Sequence, residues 1–459
     1  MSYRSPNSGT SPGGWSGASL PTEKRDLIAA VATAAGRAAI GVVRLSGPCL
    51  TSILPALVGR TVLPPRKATL CDFRDAQGRA IDAGLAVYFP APHSYTGEDV
   101  LELHGHGGPA VVDQLLRSCL EAGARLADPG EFTFRAFLNH RLDLAQAEAV
   151  ADLIDAATAR AARSAARSLK GEFSAEVNKL IDQLIDLRVR VEACLDFPEE
   201  DVEPFLAAPL ADALDHLARQ LSIIKAAAGR GAILREGATV VMSGPPNVGK
   251  SSLMNRLAGW DLAIVTDIPG TTRDALRETV EIDGVPVQLI DTAGLRDSAD
   301  VVERLGIERA REAIKRADVT LRLFDASQSE PPTDAVDTEG SVIHVGNKID
   351  LTSNFPQDTD DVIYVSAITG QGIDALKVRI LGLLGWREEG ELVYTARTRH
   401  LNALDRASWH LTEARGQHDA YELLAEHLRQ AQVALSEIGG AVSSDELLGQ
   451  IFSRFCIGK

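Results

Sequence analysis

The chain is 459 residues long, with 63 acidic against 47 basic side chains, a net charge of −16, and 45% hydrophobic and 24% charged residues. That length implies about three domains rather than one core, and the charge balance is that of a soluble globular protein, not of one that coats nucleic acid indiscriminately. No apolar run approaches a membrane span, and five scattered cysteines (Cys49, Cys71, Cys119, Cys194 and Cys456) without a Cys-x-x-Cys pair fit a reducing cytoplasm rather than a disulfide framework or zinc knuckle.

Residues 1–24 are rich in Ser, Gly and Pro and hold no apolar signal-peptide core, so they read as a disordered leader. Leu27 to Ala32 and Ile40 to Leu45, joined by a Gly36-Arg37 turn, read as paired strands. Ala68 to Phe73 and Ala83 to Phe89 are further strands around the turn-rich Asp75-Ala76-Gln77-Gly78. Val100 to Leu103 is a strand expected to end at a Gly-rich turn, His104-Gly105-His106-Gly107-Gly108-Pro109, before a helix over Ala110 to Ala122. His104 and His106 could suggest a metal pair, but no third ligand is in view, and structural or ligand-contacting histidines are the favoured reading. Together these elements form an α/β domain over 25–141.

From Leu144 the chain becomes Ala-rich and helical in period. Phe173, Val177, Leu180, Leu184, Leu187, Val191 and Leu195 recur every three or four residues and define one apolar face. Pro198 and Pro204 mark a break before the next helix, and a second helical block follows Trp386. The simplest architecture is an all-α domain made of 142–235 and 386–459, with a nucleotide domain inserted at 236–385. Arg160, Arg163, Arg167 and Lys170 form a basic stripe at helical spacing, which is either a solvated face or a nucleic-acid contact.

Thr239 to Met242 reads as a buried strand, followed by Gly244-Pro245-Pro246-Asn247-Val248-Gly249-Lys250-Ser251 and a helix opening at Ser252. Strand, glycine-bounded loop, Lys-Ser and helix make a P-loop: backbone N–H groups converge on phosphate oxygens and the helix N-terminus adds its dipole. Lys250 would reach the β- and γ-phosphates, and the Ser251 hydroxyl would ligate magnesium. Further on, Pro269-Gly270-Thr271-Thr272-Arg273-Asp274 stands where a mobile switch supplies a second magnesium ligand, Thr272. Asp283-Gly284 is a two-residue hairpin signal, and its second strand delivers Asp291-Thr292-Ala293-Gly294, a carboxylate for magnesium through water and an N–H for the γ-phosphate. Asn347-Lys348-Ile349-Asp350 follows an apolar run, and Asp350 can accept from guanine N1–H and N2–H₂ where adenine offers no such pair. Ser366, Ala367 and Ile368 complete the base pocket. Leu295 stands after Asp-Thr-Ala-Gly where Ras-type enzymes keep a water-orienting glutamine, so another group must orient the water.

These motifs, with Gly36-Arg37…Gly41-Val42-Val43-Arg44-Leu45-Ser46-Gly47, Ser94-Tyr95-Thr96-Gly97-Glu98-Asp99, His106-Gly107-Gly108, Gly130-Glu131-Phe132-Thr133, Arg141 to Glu148 and the terminal Phe455-Cys456-Ile457-Gly458-Lys459, closely resemble the tRNA uridine-modification GTPases of the MnmE or TrmE family from Leu27 to Lys459. Ala34-Ala35 departs from the usual Pro-Pro and touches no proposed ligand. The resemblance implies an N-terminal domain that binds a tetrahydrofolate, such as the 5-formyl form, through Arg44, Glu102, Arg141 and Lys459 and makes a homodimer. It implies potassium-dependent GTP hydrolysis, with Asn247, Thr266, Ile268 and Thr271 around K⁺ and Asp267 within the same nucleotide-binding switch. Glu303 would position the attacking water, alongside catalytic Lys250. It also implies a flavin- and NADH-dependent partner subunit, in a heterotetramer that installs a carboxymethylaminomethyl or aminomethyl group on C5 of the wobble uridine of tRNA. A regulatory GTPase of ribosome assembly is the alternative.

Overall fold

In the computed structural model, which describes residues 26–196, 203–260, 277–291, 312–328, 330–332, 338–352, 357–386, 393–417, 420–441, 445–453 and 455–458, the chain divides into two units. The first is Met1–Ala151 with Ser436–Lys459, and the second is Asp152–Leu435.

In the first unit, β1 (Ile28–Val31) and β2 (Ile40–Gly47) pair antiparallel as expected. After the short helix α1 (Leu54–Val58) come β3 (Thr69–Arg74), β4 (Ala80–Phe89) and β5 (Asp99–His106), then α2 (Pro109–Glu121) and β6 (Arg125–Leu126). The sheet order is β3-β4-β5-β2-β1-β6, antiparallel except where β1 meets β6. Alternation sends Val43, Leu45, Cys71, Phe73, Ala86, Leu101 and Leu103 to one face, where they pack with Leu54, Leu57, Leu115 and Cys119. Arg44 and Glu102 point to the other face.

The strand expected to stop at Leu103 runs on to His106, with Gly105 opposite Gly41 and His106 opposite Ile40. Two of the glycines that suggested a turn serve close approach instead: a Cβ on Gly105 would stand 2.8 Å from Asp82 Oδ2, and one on Gly107 would stand 2.5 Å from the Ala38 carbonyl oxygen. His104 Nε2 lies 3.1 Å from Glu102, and His106 Nδ1 lies 2.9 Å from Asp82, so each histidine has its own carboxylate. Among the described residues no three His, Cys, Asp or Glu side chains gather as a metal site.

Beyond β6, α3 (Glu131–Leu138) buries both ends of an i, i+4 pair, Glu131 and Arg135. Glu131 Oε1 accepts from Arg125 Nη2 at 2.6 Å and from Arg135 Nη2 at 2.8 Å. Asp26 takes Arg125 Nε at 2.7 Å and Arg135 Nη2 at 2.7 Å, while Glu98 takes Arg135 Nη1 at 3.0 Å. Burial pushes the Glu131 and Asp26 carboxyls up, but the hydrogen bonds and charge of the two arginines outweigh it and hold both below their ordinary values. On the far side of α3, Phe134 meets Phe452 edge-on at 5.0 Å, and Leu448, Ile451, Phe452 and Phe455 of the C-terminal segment pack with Leu144 and Ala147.

In the second unit, α5 (Ala159–Leu169), which follows α4 (Leu144–Ile154), precedes α6 (Glu172–Asp196) and α7 (Glu203–Glu236). Of the apolar face read from the sequence, Phe173, Val177, Leu180, Leu184, Leu187 and Val191 are in the core, while Leu195 near the helix end is half-buried. The chain then builds β7 (Ala238–Ser243), α8 (Lys250–Trp260), β8 (Arg277–Ile282), β9 (Val285–Asp291), β10 (Val319–Asp325), β11 (Ser341–Asn347), β12 (Val362–Tyr364) and α9 (Ile373–Leu383). The sheet order is β12-β11-β10-β7-β9-β8, parallel except for the β8–β9 hairpin, whose Asp283-Gly284 turn has φ 49° and 81°. Helix α10 (Thr398–Gly416) packs on α7.

The buried ion cluster gives the first unit a defined response to acid. Both carboxyls have lowered folded values, so their stabilisation is complete above the ordinary values of 4.5 and 3.8 and is lost as pH falls from there through the folded values. Glu131→Gln should cost about 3–5 kcal/mol at neutral pH, the usual cost of stranding one partner of a buried pair, and should flatten this acid dependence. Urea titrations of both proteins across that pH range check it. An unchanged acid slope in the variant would show that the cluster does not carry the effect.

Candidate functional site

The parallel strands of the second sheet deliver their C-terminal ends to one edge. β7 ends at the P-loop, β9 at Asp291, β10 at Asp325, β11 at Asn347, and β12 leads to Ser366. The neighbours of β7 are β9 on one side and β10 on the other, so the connections leave in opposite directions there and open a crevice where ligands of such sheets bind.

Lys250, only 6% exposed, folds back so that Nζ donates to the carbonyls of Gly244 at 3.0 Å and Pro245 at 2.9 Å. Ser251 Oγ donates to Asp291 Oδ2 at 3.1 Å. A hydroxyl and a buried strand-end carboxylate side by side are the hard oxygen donors that magnesium takes. Asn247 has φ 60° in the left-handed region, and Val248 beneath it is buried. Ser252 is exposed on the first turn of α8.

Asn347, 2% exposed, ties the crevice together. Its Nδ2 donates to the Val248 carbonyl at 2.9 Å, and its Oδ1 accepts from Ala367 N–H at 3.0 Å. Gly249 is required beside it: φ is 96°, and a Cβ there would stand 2.3 Å from Asn347 Nδ2. Lys348, with φ 68°, reaches Asp325 Oδ2 at 2.7 Å. Burial raises the Asp325 carboxyl, but bonds from Lys348 and Ser327 hold it below the usual range. Asp350 is exposed at the mouth and accepts from Ser366 Oγ at 2.5 Å, while Ile349 is buried and Ile368 exposed. Asp325 and Arg256 were absent from the sequence reading. Arg256 Nε on the P-loop helix donates to the Ala367 carbonyl at 2.8 Å, and Nη2 bonds the Ile368 carbonyl. The carboxylate closing the β-prone stretch Val319 to Phe324 was the available signal for Asp325. Arg256 carried none, because its partners are backbone atoms more than a hundred residues away.

Of the expected ligands, Thr266, Asp267, Ile268, Pro269, Gly270, Thr271, Thr272, Thr292, Ala293, Gly294, Glu303 and Lys459 lie outside the described residues.

In the first unit Arg44 and Glu102 are cross-strand partners, with Nη2 to Oε1 at 2.8 Å. The Arg44 guanidinium sits 5.5 Å from the Tyr95 ring centroid and 5.9 Å from that of Phe132. Arg141 is exposed and touches neither, but its Cγ stands 3.3 Å from where a Cβ on Gly97, two residues from Tyr95, would be. At the C-terminus Gly130 N–H donates to the Cys456 carbonyl at 3.4 Å, and a Cβ on buried Gly458 would lie 2.2 Å from the Val31 carbonyl. Val31 is paired with Val43, so the last described residue ends beside the strand that carries Arg44.

Residues 27–141 match the family described as GTP-binding protein TrmE N-terminus, and residues 144–456 match the MnmE helical domain. The tRNA modification GTPase MnmE of Thiobacillus denitrificans is 54% identical over 441 residues, covering 95% of this chain and 98% of that one. Its counterpart in Neisseria meningitidis serogroup C is 56% identical over 443 residues, covering 94% and 98%. Among solved structures, the G domain of the T. maritima FeoB iron transporter covers 32% of this chain and 98% of that chain at 24% identity, with a TM-score of 0.24.

Asn347→Ala removes two buried bonds that join three loops and leaves Val248 and Ala367 without those partners. At about 1–3 kcal/mol for each buried group left unsatisfied, guanine-nucleotide affinity should fall by tenfold or more. Titration with a fluorescent GDP analogue checks this. Wild-type affinity would mean that the loops hold their places without the amide.

Proposed function

The chain belongs to the MnmE/TrmE family of tRNA modification GTPases, and on that premise we propose that its GTP turnover drives modification of the wobble uridine at C5, with a flavin- and NADH-dependent partner. The observation that carries this reading is the crevice itself: P-loop, Asp291, Asn347-Lys348-Ile349-Asp350 and Ser366-Ala367 converge on one sheet edge, tied by Asn347.

The proposed domains are a leader at 1–24, a folate-binding domain at 25–141, a helical domain at 142–235 and 386–459, and the GTPase domain at 236–385. Lys250 exchanges its two P-loop carbonyl contacts for phosphate oxygens when nucleotide enters. Ser251 and Thr272 would hold magnesium, with Asp291 behind Ser251, and the ion would neutralise charge on the β- and γ-oxygens. Asn247, with Thr266, Ile268 and Thr271, would hold potassium, whose fixed charge can take the place of an arginine finger. The left-handed, exposed Asn247 fits such a ligand. Leu295 cannot orient water, so Glu303 is assigned that task. Asp350 selects guanine.

The Arg44–Glu102 pair, its guanidinium near the Tyr95 and Phe132 rings, suits a folate, with the cation for a glutamyl carboxylate and the carboxylate for a pterin edge. Leu70 and Leu85, cross-strand partners exposed at 68% and 42%, support the homodimer on the open sheet face. No helix among the described residues is long and apolar enough to cross a membrane, and a cytoplasmic location is proposed from the chemistry of the five cysteines.

Hydrolysis should run faster in potassium than in sodium, and Asn247→Ala should abolish that difference. Steady-state rates in matched chloride salts test it, and equal wild-type rates would remove the cation from the mechanism. Glu303→Ala should slow turnover by about 10²-fold with nucleotide affinity retained, and a loss confined to binding would give the water to another group. A nucleoside profile of tRNA from cells lacking the protein should show unmodified wobble uridine. An unchanged profile would favour the ribosome-assembly alternative.

A further inference from the structure

The basic stripe on α5 has a definite setting. Arg160, Arg163 and Arg167 line a single cavity of about 540 Å³ between α5 and the β8–β9 hairpin, whose other walls include Ser164, Glu281 and Gly284. Two of the three cations are already held. The Arg160 guanidinium lies 4.3 Å from the Trp386 ring centroid and its Nη1 donates to the Asp283 carbonyl at 3.0 Å. Arg167 Nε donates to Glu172 Oε2 at 2.8 Å, and its guanidinium sits 6.0 Å from the Tyr394 ring centroid. Between them Arg163 is exposed, and no hydrogen bond or ion pair joins it to a described residue.

The walls are fixed as well as the arms. Buried Thr158 caps α5 by accepting from Ala161 N–H at 3.1 Å and donates its own hydroxyl to the Gly284 carbonyl at 2.8 Å. The cavity therefore needs little ordering when a ligand arrives, which removes a main cost of binding. In a chain of net charge −16 a concavity with three guanidinium groups is a local exception, and it is where a polyanion can approach. Guanidinium forks match phosphate oxygens two at a time. Glu281 in the lining would repel a bare phosphate set against it, but it can accept a hydrogen bond from a ribose 2′-hydroxyl. That pairing of three cations with the acidic residues Glu281 and Asp283 in the same lining favours a ribose phosphate, which carries hydroxyl donors, over inorganic phosphate.

Resting on the tRNA-modification reading, we propose that this cavity seats a ribose phosphate of the tRNA backbone, with Arg163 as its direct contact and Arg160 and Arg167 flanking it. The full-length protein is titrated with a labelled tRNA transcript by fluorescence anisotropy at several salt concentrations. Arg163→Ala should weaken binding about tenfold and lower the salt slope by about 1, as the loss of one phosphate contact does. Arg163→Lys should restore the slope but only part of the affinity, since lysine keeps the charge and loses the fork. GTP turnover without tRNA should be unchanged in both variants, which also shows that they fold. A DNA copy of the same sequence should bind more weakly than the transcript, because it has nothing to donate to Glu281. Wild-type affinity and slope in Arg163→Ala, or a wild-type protein that binds no tRNA, overturns the site. The modification reading falls only if the nucleoside profile of cells lacking the protein is also unchanged.

Discussion

One buried amide sets the geometry of the nucleotide site. Asn347 donates to the P-loop at Val248 and accepts from Ala367, at 2.9 and 3.0 Å, so a single side chain sets the spacing between the two loops proposed to meet the phosphates and the base. Its orientation is not free, because turning the amide over would set like groups against each other at both ends. Gly249 follows from the same contact, since any side chain there would occupy the space of Nδ2. The Asp325–Lys348 pair and the bonds from Arg256 reinforce the base loop from two further directions. Tertiary bonds of this kind join the P-loop and its helix, Asp291, Asp325, Asn347-Lys348 and Ala367 into one cleft.

The first unit rests on a different constraint, the burial of charge. Glu131 is 1% exposed and survives there only because Arg125 and Arg135 surround it, and those arginines are in turn satisfied by Asp26 and Glu98. A half-satisfied version of that cluster would be worse than an apolar core. The cluster also fixes the start of α3, on whose other side the C-terminal aromatic residues pack. In this way Gly458 is brought against Val31, whose strand pairs with the one carrying Arg44.

Much of this was legible in the sequence where local chemistry and tertiary structure agree. The P-loop, the Asp283-Gly284 hairpin and the apolar face of α6 each announce themselves within a few residues, and each is found as read. Strand β5 extends past the local turn signal of its His and Gly run, because the reason for Gly105 lies on the neighbouring strand. Asp325, Arg256 and the ion cluster were invisible for a related reason. Their partners are distant in sequence or are backbone atoms, and no spacing rule connects Asp26 to Arg135.

On the proposed function, nucleotide turnover at this cleft drives tRNA modification, and the mere presence of the folded protein does not suffice. Lys250 faces the P-loop carbonyls, so Lys250→Ala can remove the phosphate contact without emptying a hydrophobic core. The most direct measurement is the wobble-uridine nucleoside profile of cells whose only copy carries Lys250→Ala, expressed at the wild-type level. The account predicts the unmodified profile of cells without the protein. A normal level of modified wobble uridine would contradict it.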